Sequence, residues 1–152
     1  SRDVSRLDVS ISSLENDCGL IPGSVGLIPL LDTGKGLWNA RDIARSNSRV
    51  QGLILGMGDL VFDILKEREA VPFFTGPMPR FPVDEYVWGW LALVAADAGI
   101  PLYGLLGTTI SSDHEFMNRL RSAADLAKQV GFHGALSLHR DGIEVCNQVF
   151  GR

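Results

Sequence analysis

The strongest constraint on this chain is an alternation. Four apolar runs of strand length, at residues 25–31, 49–55, 100–106 and 133–138, are separated by stretches whose apolar residues recur at helical spacing. Strands that alternate with helices indicate a parallel sheet with right-handed crossovers, and continuous apolar runs indicate strands covered on both faces. The first run, VGLIPLL, contains Pro29. Proline cannot donate to a ladder, which counts against a fully bonded central strand there.

The helical stretches follow from spacing and caps. Val4, Leu7, Ile11 and Leu14 define an amphipathic helix over 3–15, with Asp3 as a candidate N-cap. Further helices are expected over 37–46, from Asp59 to near Glu69, over 83–99, from Ser112 or Asp113 to Gly131, and over 142–150. Gly19, Pro22 and Gly23 make residues 18–24 a loop, and VPFFTGPMPRFP is a longer one holding four of the seven prolines. Loops of that length at an α/β rim are often functional. The chain therefore reads as one helix followed by four βα units, a single partial α/β domain spanning 1–152.

Bulk properties exclude several function classes. A net charge of −4, with Lys35, Arg41 and Arg45 as the densest basic group, gives no clustered face for nucleic-acid phosphates. That group reads as a solvated helix face. No apolar run is long enough to span a bilayer. Cys18 and Cys146 are too few and too distant for a disulfide framework or a zinc cluster, so a reducing cytoplasm is expected. The chain opens without an initiator methionine in what reads as mid-helix, pointing to a processed chain or a segment of something larger.

Two acidic residues stand out: Asp32 follows the first apolar run and Asp59 the second. In a parallel sheet both positions lie at the carboxyl-end rim, where ligands bind. They are the candidate ligands of one divalent metal, with N-capping of the following helices as the competing role. Gly56, Met57 and Gly58 lie between the second run and Asp59, where backbone N–H groups at a helix start can meet a substrate carboxylate. A tight strand-to-helix turn is their competing role. His114 and His133 read as structural, His139 at a strand end as structural or surface with a rim ligand or base as its competing role, and Trp38, Trp88 and Trp90 as core or subunit-contact residues. No catalytic base is assigned.

Four segments, in order, resemble one family. LIPLLDTGKGLWNARDIA resembles the citrate lyase beta-subunit pattern in which "IET", "GL", "NA" and "EIA" follow a buried strand. RVQGLILGMGDLVFDI is similar to its "RV..L.FGAEDL..D", AADAGIPLY to "AARAAGI..ID", and GFHGALSLHRDGIEVCNQVF to "GF.GK..IHP.QI...N..F". The resemblance, to the HpcH/HpaI aldolase and citrate lyase group, implies the second half of a (β/α)₈ barrel. It also implies a Mg²⁺-dependent carbon–carbon lyase acting on a hydroxy-acyl-CoA or related keto-acid adduct. It places the metal on one Glu and one Asp, which fall here on Asp32 and Asp59, with Mn²⁺ as the other candidate ion.

The departures are specific. Asp32 is a methylene shorter than the family's Glu, the Lys of "GK" is Ala135, the Pro of "IHP" is Arg140, and the Asp of "ID" is Tyr103. The first half of the barrel, with its substrate-clamping arginine, and the post-barrel segment are not matched. Two open edges are therefore expected, to be covered by the rest of a longer polypeptide or by a homo-oligomer. A catalytically silent domain serving assembly or ligand binding is the competing function. An aldolase of the pyruvate-binding barrels acting on free keto acids is a third.

Overall fold

The computed structural model describes residues 2–65, 82–106 and 113–151. Helix α1 (Arg2–Asp17) opens the chain and a loop leads to β1 (Leu30–Leu31). Two short helices, α2 (Gly34–Trp38) and α3 (Ala40–Ala44), precede β2 (Leu53–Leu55) and α4 (Met57–Leu65). Then come α5 (Pro82–Ala98), β3 (Leu102–Leu105), α6 (His114–Val130), β4 (Gly134–Leu136) and α7 (Arg140–Phe150). The strands form one sheet in the order β1-β2-β3-β4, with every neighbouring pair parallel. This is the expected α/β architecture of parallel βα units. The expected loop up to residue 81, the last residues of the helix expected to reach Glu69 and the capping candidate Ser112 lie outside the described residues.

Register sorts the strand residues by face. Leu31, Leu55, Gly104 and Ala135 form one row across the sheet, and Leu30, Ile54, Tyr103 and Gly134 form the next. The first row faces the helices, where Leu31, Leu55, Leu53 and Leu102 are buried together with Leu60, Val87, Leu91 and Leu120. The second row faces away from the helices, and Leu30 is 46% exposed there.

Where the elements differ from the sequence reading, local hydrogen bonding explains it. Of the apolar run 25–31, only Leu30–Leu31 is regular strand, with an isolated bridge from Leu27 to Val50. Leu27 exchanges bonds with Arg49 and Gln51, and the carbonyls of Pro29 and Leu31 accept from Ile54 and Gly56. Residues 27, 29 and 31 thus face β2, and Pro29 sits where a donor towards β2 is needed. The expected helix over 37–46 is two helices parted at Asn39. The side-chain amide of Asn39 donates to the Lys35 carbonyl at 2.7 Å, sharing the acceptor of its own helical N–H bond and competing with helix continuation.

Caps set the later boundaries. Asp113 accepts from the Phe116 N–H at the start of α6, and Gly131 closes it in the left-handed region at φ +112°. On α5, Val87, Trp88, Leu91, Val94 and Ala95 face the core, with the Trp88 ring 5.2 Å from that of Phe132. The basic group is not simply solvated. Arg41 and Arg45 both pair with Asp97, at 3.3 and 2.9 Å, tying α3 to the end of α5.

At the amino-terminal ends of the strands, Arg49 is 6% exposed and Glu15 1%. The Arg49 guanidinium donates to both Glu15 oxygens at 2.7 Å, to Asp8 at 2.6 Å, to Ser12 Oγ at 2.9 Å and to the Val25 carbonyl at 3.0 Å. All five of its donors are used. Glu15 also accepts the N–H groups of Gly23 and Val25, each at 2.8 Å. Its hydrogen bonds to Arg49, reinforced by those two amides, hold the carboxyl at about 2 against burial. Asp8 is lowered by its bonds to Arg49 and Asn47. The cluster fastens α1 to the start of β2 on the rim opposite the candidate site.

Candidate metal-holding rim

Asp32 and Asp59 emerge at the carboxyl ends of adjacent strands, as the sequence predicts. Asp32, half-buried, is the first residue after β1, and exposed Asp59 is the third residue of α4. Neither caps its helix. Thr33 caps α2 by accepting the Gly36 N–H at 3.1 Å, and α4 starts two residues before Asp59. The expected start of that helix at Asp59 therefore moves to Met57.

Two contacts bring the turns together. The Gly56 N–H donates to the Leu31 carbonyl at 3.0 Å, extending the β1–β2 ladder to the rim. A Cβ at Gly56 would lie 3.1 Å from Asp32 Cβ, so the absence of a side chain lets Asp32 sit directly over the end of β2. The second contact is Asp63, which accepts the Gly34 N–H at 2.6 Å. Asp63 lies four residues after Asp59, on the same helix face, so that face of α4 turns towards the loop carrying Asp32. Sequence reading missed Asp63. The signal available was its i,i+4 spacing from Asp59.

The amides divide in the same way. The Gly56 N–H is committed to the sheet, whereas Met57 and Gly58 occupy the first turn of α4, whose N–H groups have no intrahelical acceptor. Among the described residues, no three His, Cys, Asp or Glu side chains converge as a metal cage. A two-carboxylate set is still adequate for Mg²⁺, which keeps several waters and takes one or two protein carboxylates.

The histidines stay with the scaffold. His133 Nδ1 accepts the Leu102 N–H at 3.4 Å, at the amino end of β3. His139 caps α7 through Nδ1 and the Asp141 N–H, also at 3.4 Å. His114 pairs with Asn118 one turn on. Tyr103 lies across the helix-free face of the sheet, where Cβ atoms at Gly52 and Gly134 would approach its ring to 3.0 and 3.2 Å. Trp88 is core, while Trp38 and Trp90 are exposed.

Residues 1–140 match the HpcH/HpaI aldolase/citrate lyase family. The chain belongs to that family. It is a family of aldolase and citrate lyase type, and the four parallel βα units described here are the part of its α/β fold that this chain supplies. Among curated proteins it is similar to the citrate lyase subunit beta of Escherichia coli K12, 25% identical over 150 residues, covering 99% of this chain and 45% of that protein. The chain thus spans about half the length of the curated relatives it matches. A citrate lyase from Burkholderia xenovorans superposes with a TM-score of 0.80 at 18% identity, covering 99% of this chain and 45% of that one. A Mycobacterium tuberculosis protein in complex with magnesium, acetoacetate and coenzyme A superposes with a TM-score of 0.64 at 22% identity, covering 84% and 44%. No described helix is long and apolar enough to cross a membrane.

Proposed function

We propose that this chain carries the metal-holding part of a Mg²⁺-dependent carbon–carbon lyase. The observation that supports it is the placement of Asp32 and Asp59 on neighbouring turns of one rim, with Gly56 giving Asp32 its room and Asp63 tying the turns together. The oxygen-only donor set suits Mg²⁺ and accepts Mn²⁺. When bound, the ion supplies Lewis-acid stabilisation to a keto-acid oxygen. The chain's own contribution is to hold that charge with Asp32 and Asp59, and to orient a substrate carboxylate on the Met57 and Gly58 N–H groups. Gly56 makes the close approach possible.

The reaction is retro-aldol or retro-Claisen cleavage of a hydroxy-acyl-CoA or related keto-acid adduct, or its reverse. Neighbours of similar likeness are seen with coenzyme A and acetoacetate, with oxaloacetate and with pyruvate, so both the thioester and the free keto acid are candidate substrates. The rest of the site comes from a homo-oligomer or from the remainder of a longer polypeptide. Calorimetric titration with Mg²⁺ and Mn²⁺ tests the reading: the chain binds, and Asp59→Ala abolishes binding. An intact chain that takes up neither ion defeats it. Comparing cleavage of citramalyl-type thioesters with free hydroxy-keto acids then separates the substrate classes.

One observation favours a second reading, a silent domain for assembly or ligand binding. Tyr103 stands where the family resemblance places an Asp, and its ring fills space over Gly52 and Gly134 on the helix-free face. Metal binding without cleavage of either substrate class, in any assembly of the chain, supports that reading.

A further inference from the structure

Asp32 lies in a short stretch held on both sides by the β2–α4 unit that carries Asp59. Before it, the Leu31 carbonyl accepts the Gly56 N–H at 3.0 Å. After it, the Gly34 N–H donates to Asp63 Oδ2 at 2.6 Å, as short as a charge-assisted bond is expected to be. Gly34 is the first residue of α2, so its N–H has no acceptor within that helix. Thr33, the N-cap, uses its hydroxyl on the Gly36 N–H. The Gly34 amide therefore depends on an acceptor from another element, and Asp63 supplies it. Helix α2 has five residues, too few to hold a turn without outside contacts. Asp63 does nothing favourable for its own helix, because Asp59 stands one turn earlier and like charges at that spacing oppose helix formation. What it contributes is made across the gap to α2. The two holds also differ in kind: the one before Asp32 joins main chain to main chain, and the one after it rests on a single side chain.

We propose that Asp63 is a positioning residue of the metal rim, a role that rests on the metal reading above. Its hold on the Gly34 amide fixes where Asp32 stands relative to Asp59, and it contributes position rather than charge. Mg²⁺ demands near-ideal octahedral geometry, so with two protein carboxylates their separation decides affinity. Asp59 is placed by α4. Asp32 is placed by the bond at Leu31 and the bond at Gly34; without the second, the turn through Thr33 pivots about the first. Asp63 itself stays off the ion, since among the described residues no three acidic, histidine or cysteine side chains converge. Groups that orient metal ligands without touching the metal weaken binding about tenfold to a hundredfold when removed. Asp63 acts through two residues of backbone, which puts it at the lower end of that range.

Titration calorimetry with Mg²⁺ on the full chain separates position from charge. Asp63→Ala should raise the Mg²⁺ Kd about tenfold. Asp63→Asn keeps an oxygen that accepts the Gly34 N–H, and the charge it loses is exposed and screened by salt, so it should stay within about threefold of the parent. Gly34→Pro removes the donor from the other side. Proline is favoured at the first helical position, and Thr33, at φ −133° and ψ 152°, already has the extended backbone that a following proline requires. Gly34→Pro should match Asp63→Ala, and the double variant should bind no more weakly than either single one. The bond lies at the surface, so circular dichroism should be unaltered throughout. In the metal-free chain the Gly34 amide should exchange faster in Asp63→Ala than in the parent, a reading of the bond alone. The proposal is overturned, with the metal reading left standing, by any of four results: Asp63→Ala binding as tightly as the parent, Asp63→Asn as weak as Asp63→Ala, losses that add in the double variant, or unchanged Gly34 exchange. A parent chain that takes up no Mg²⁺ removes the metal reading, and the positioning role falls with it.

Discussion

Replacing Gly56 by alanine probes the rim without touching a carboxylate. Gly56 is not among the positive-φ glycines, so alanine can adopt its backbone conformation. The cost is local: the new methyl would sit 3.1 Å from Asp32 Cβ and 3.1 Å from Leu30 Cδ1. Carbon pairs are comfortable from about 3.5 Å, so about 0.4 Å must be found on each side. Leu30 gives way easily, because its side chain ends in open space. Asp32 Cβ is fixed to the backbone at the end of β1, and its displacement passes directly to the carboxylate. Metal sites tolerate about 0.2 Å in ligand distance, so a shift twice that size should weaken Mg²⁺ about tenfold, or about 1.4 kcal/mol. Titration calorimetry on Gly56→Ala beside the parent measures this, with thermal melts to show that the variant is folded. A folded Gly56→Ala that binds Mg²⁺ within twofold of the parent would refute the claim that Asp32 is a ligand held in place by the end of β2.

Three further outcomes test the scaffold. Leu91→Ala opens a hole beneath α5 where the side chain is fully buried, and should cost about 3 kcal/mol, whereas Leu93→Ala, 69% exposed on the same helix, should stay within about 0.5 kcal/mol; urea melts of the pair compare them. Gly131→Ala forces a Cβ into the left-handed region that closes α6 and should cost about 1 kcal/mol or more in the same assay. For pH, the Glu15 carboxyl lies at about 2 in the folded chain against an ordinary 4.5. Its stabilisation is complete above the ordinary value and lost as pH falls from about 5 towards 2, with lowered Asp8 adding in the same direction. Melting temperature should therefore drop across that window, and Glu15→Gln should flatten the drop.

What the sequence disclosed was whatever periodicity writes into it. The apolar runs and helical stripes fixed the order of elements, and Asp113 and Gly131 bounded α6 in the chain itself. The two strand-end acids could be read because alternation alone places them on one rim. Asp63 was hidden, since its meaning is a hydrogen bond to Gly34, 29 residues away. The Arg49–Glu15 pair was equally silent: nothing in DVSRLDVSISSLE announces that Glu15 will be dry. The break at Asn39 turns on one amide choosing the Lys35 carbonyl, a choice that helical spacing does not encode.

The saturated guanidinium also bears on how the chain assembles itself. Its partners Asp8 and Glu15 lie 41 and 34 residues before Arg49. Arg49 can leave water only when all of them are in place, so α1 docks as a latch rather than by degrees. A shorter piece beginning at the first strand would leave Arg49 without either carboxylate. The opening helix is thus inside the cooperative unit: proteases that cut in the loop after Asp17 should release nothing until the β1–β2 pair itself opens.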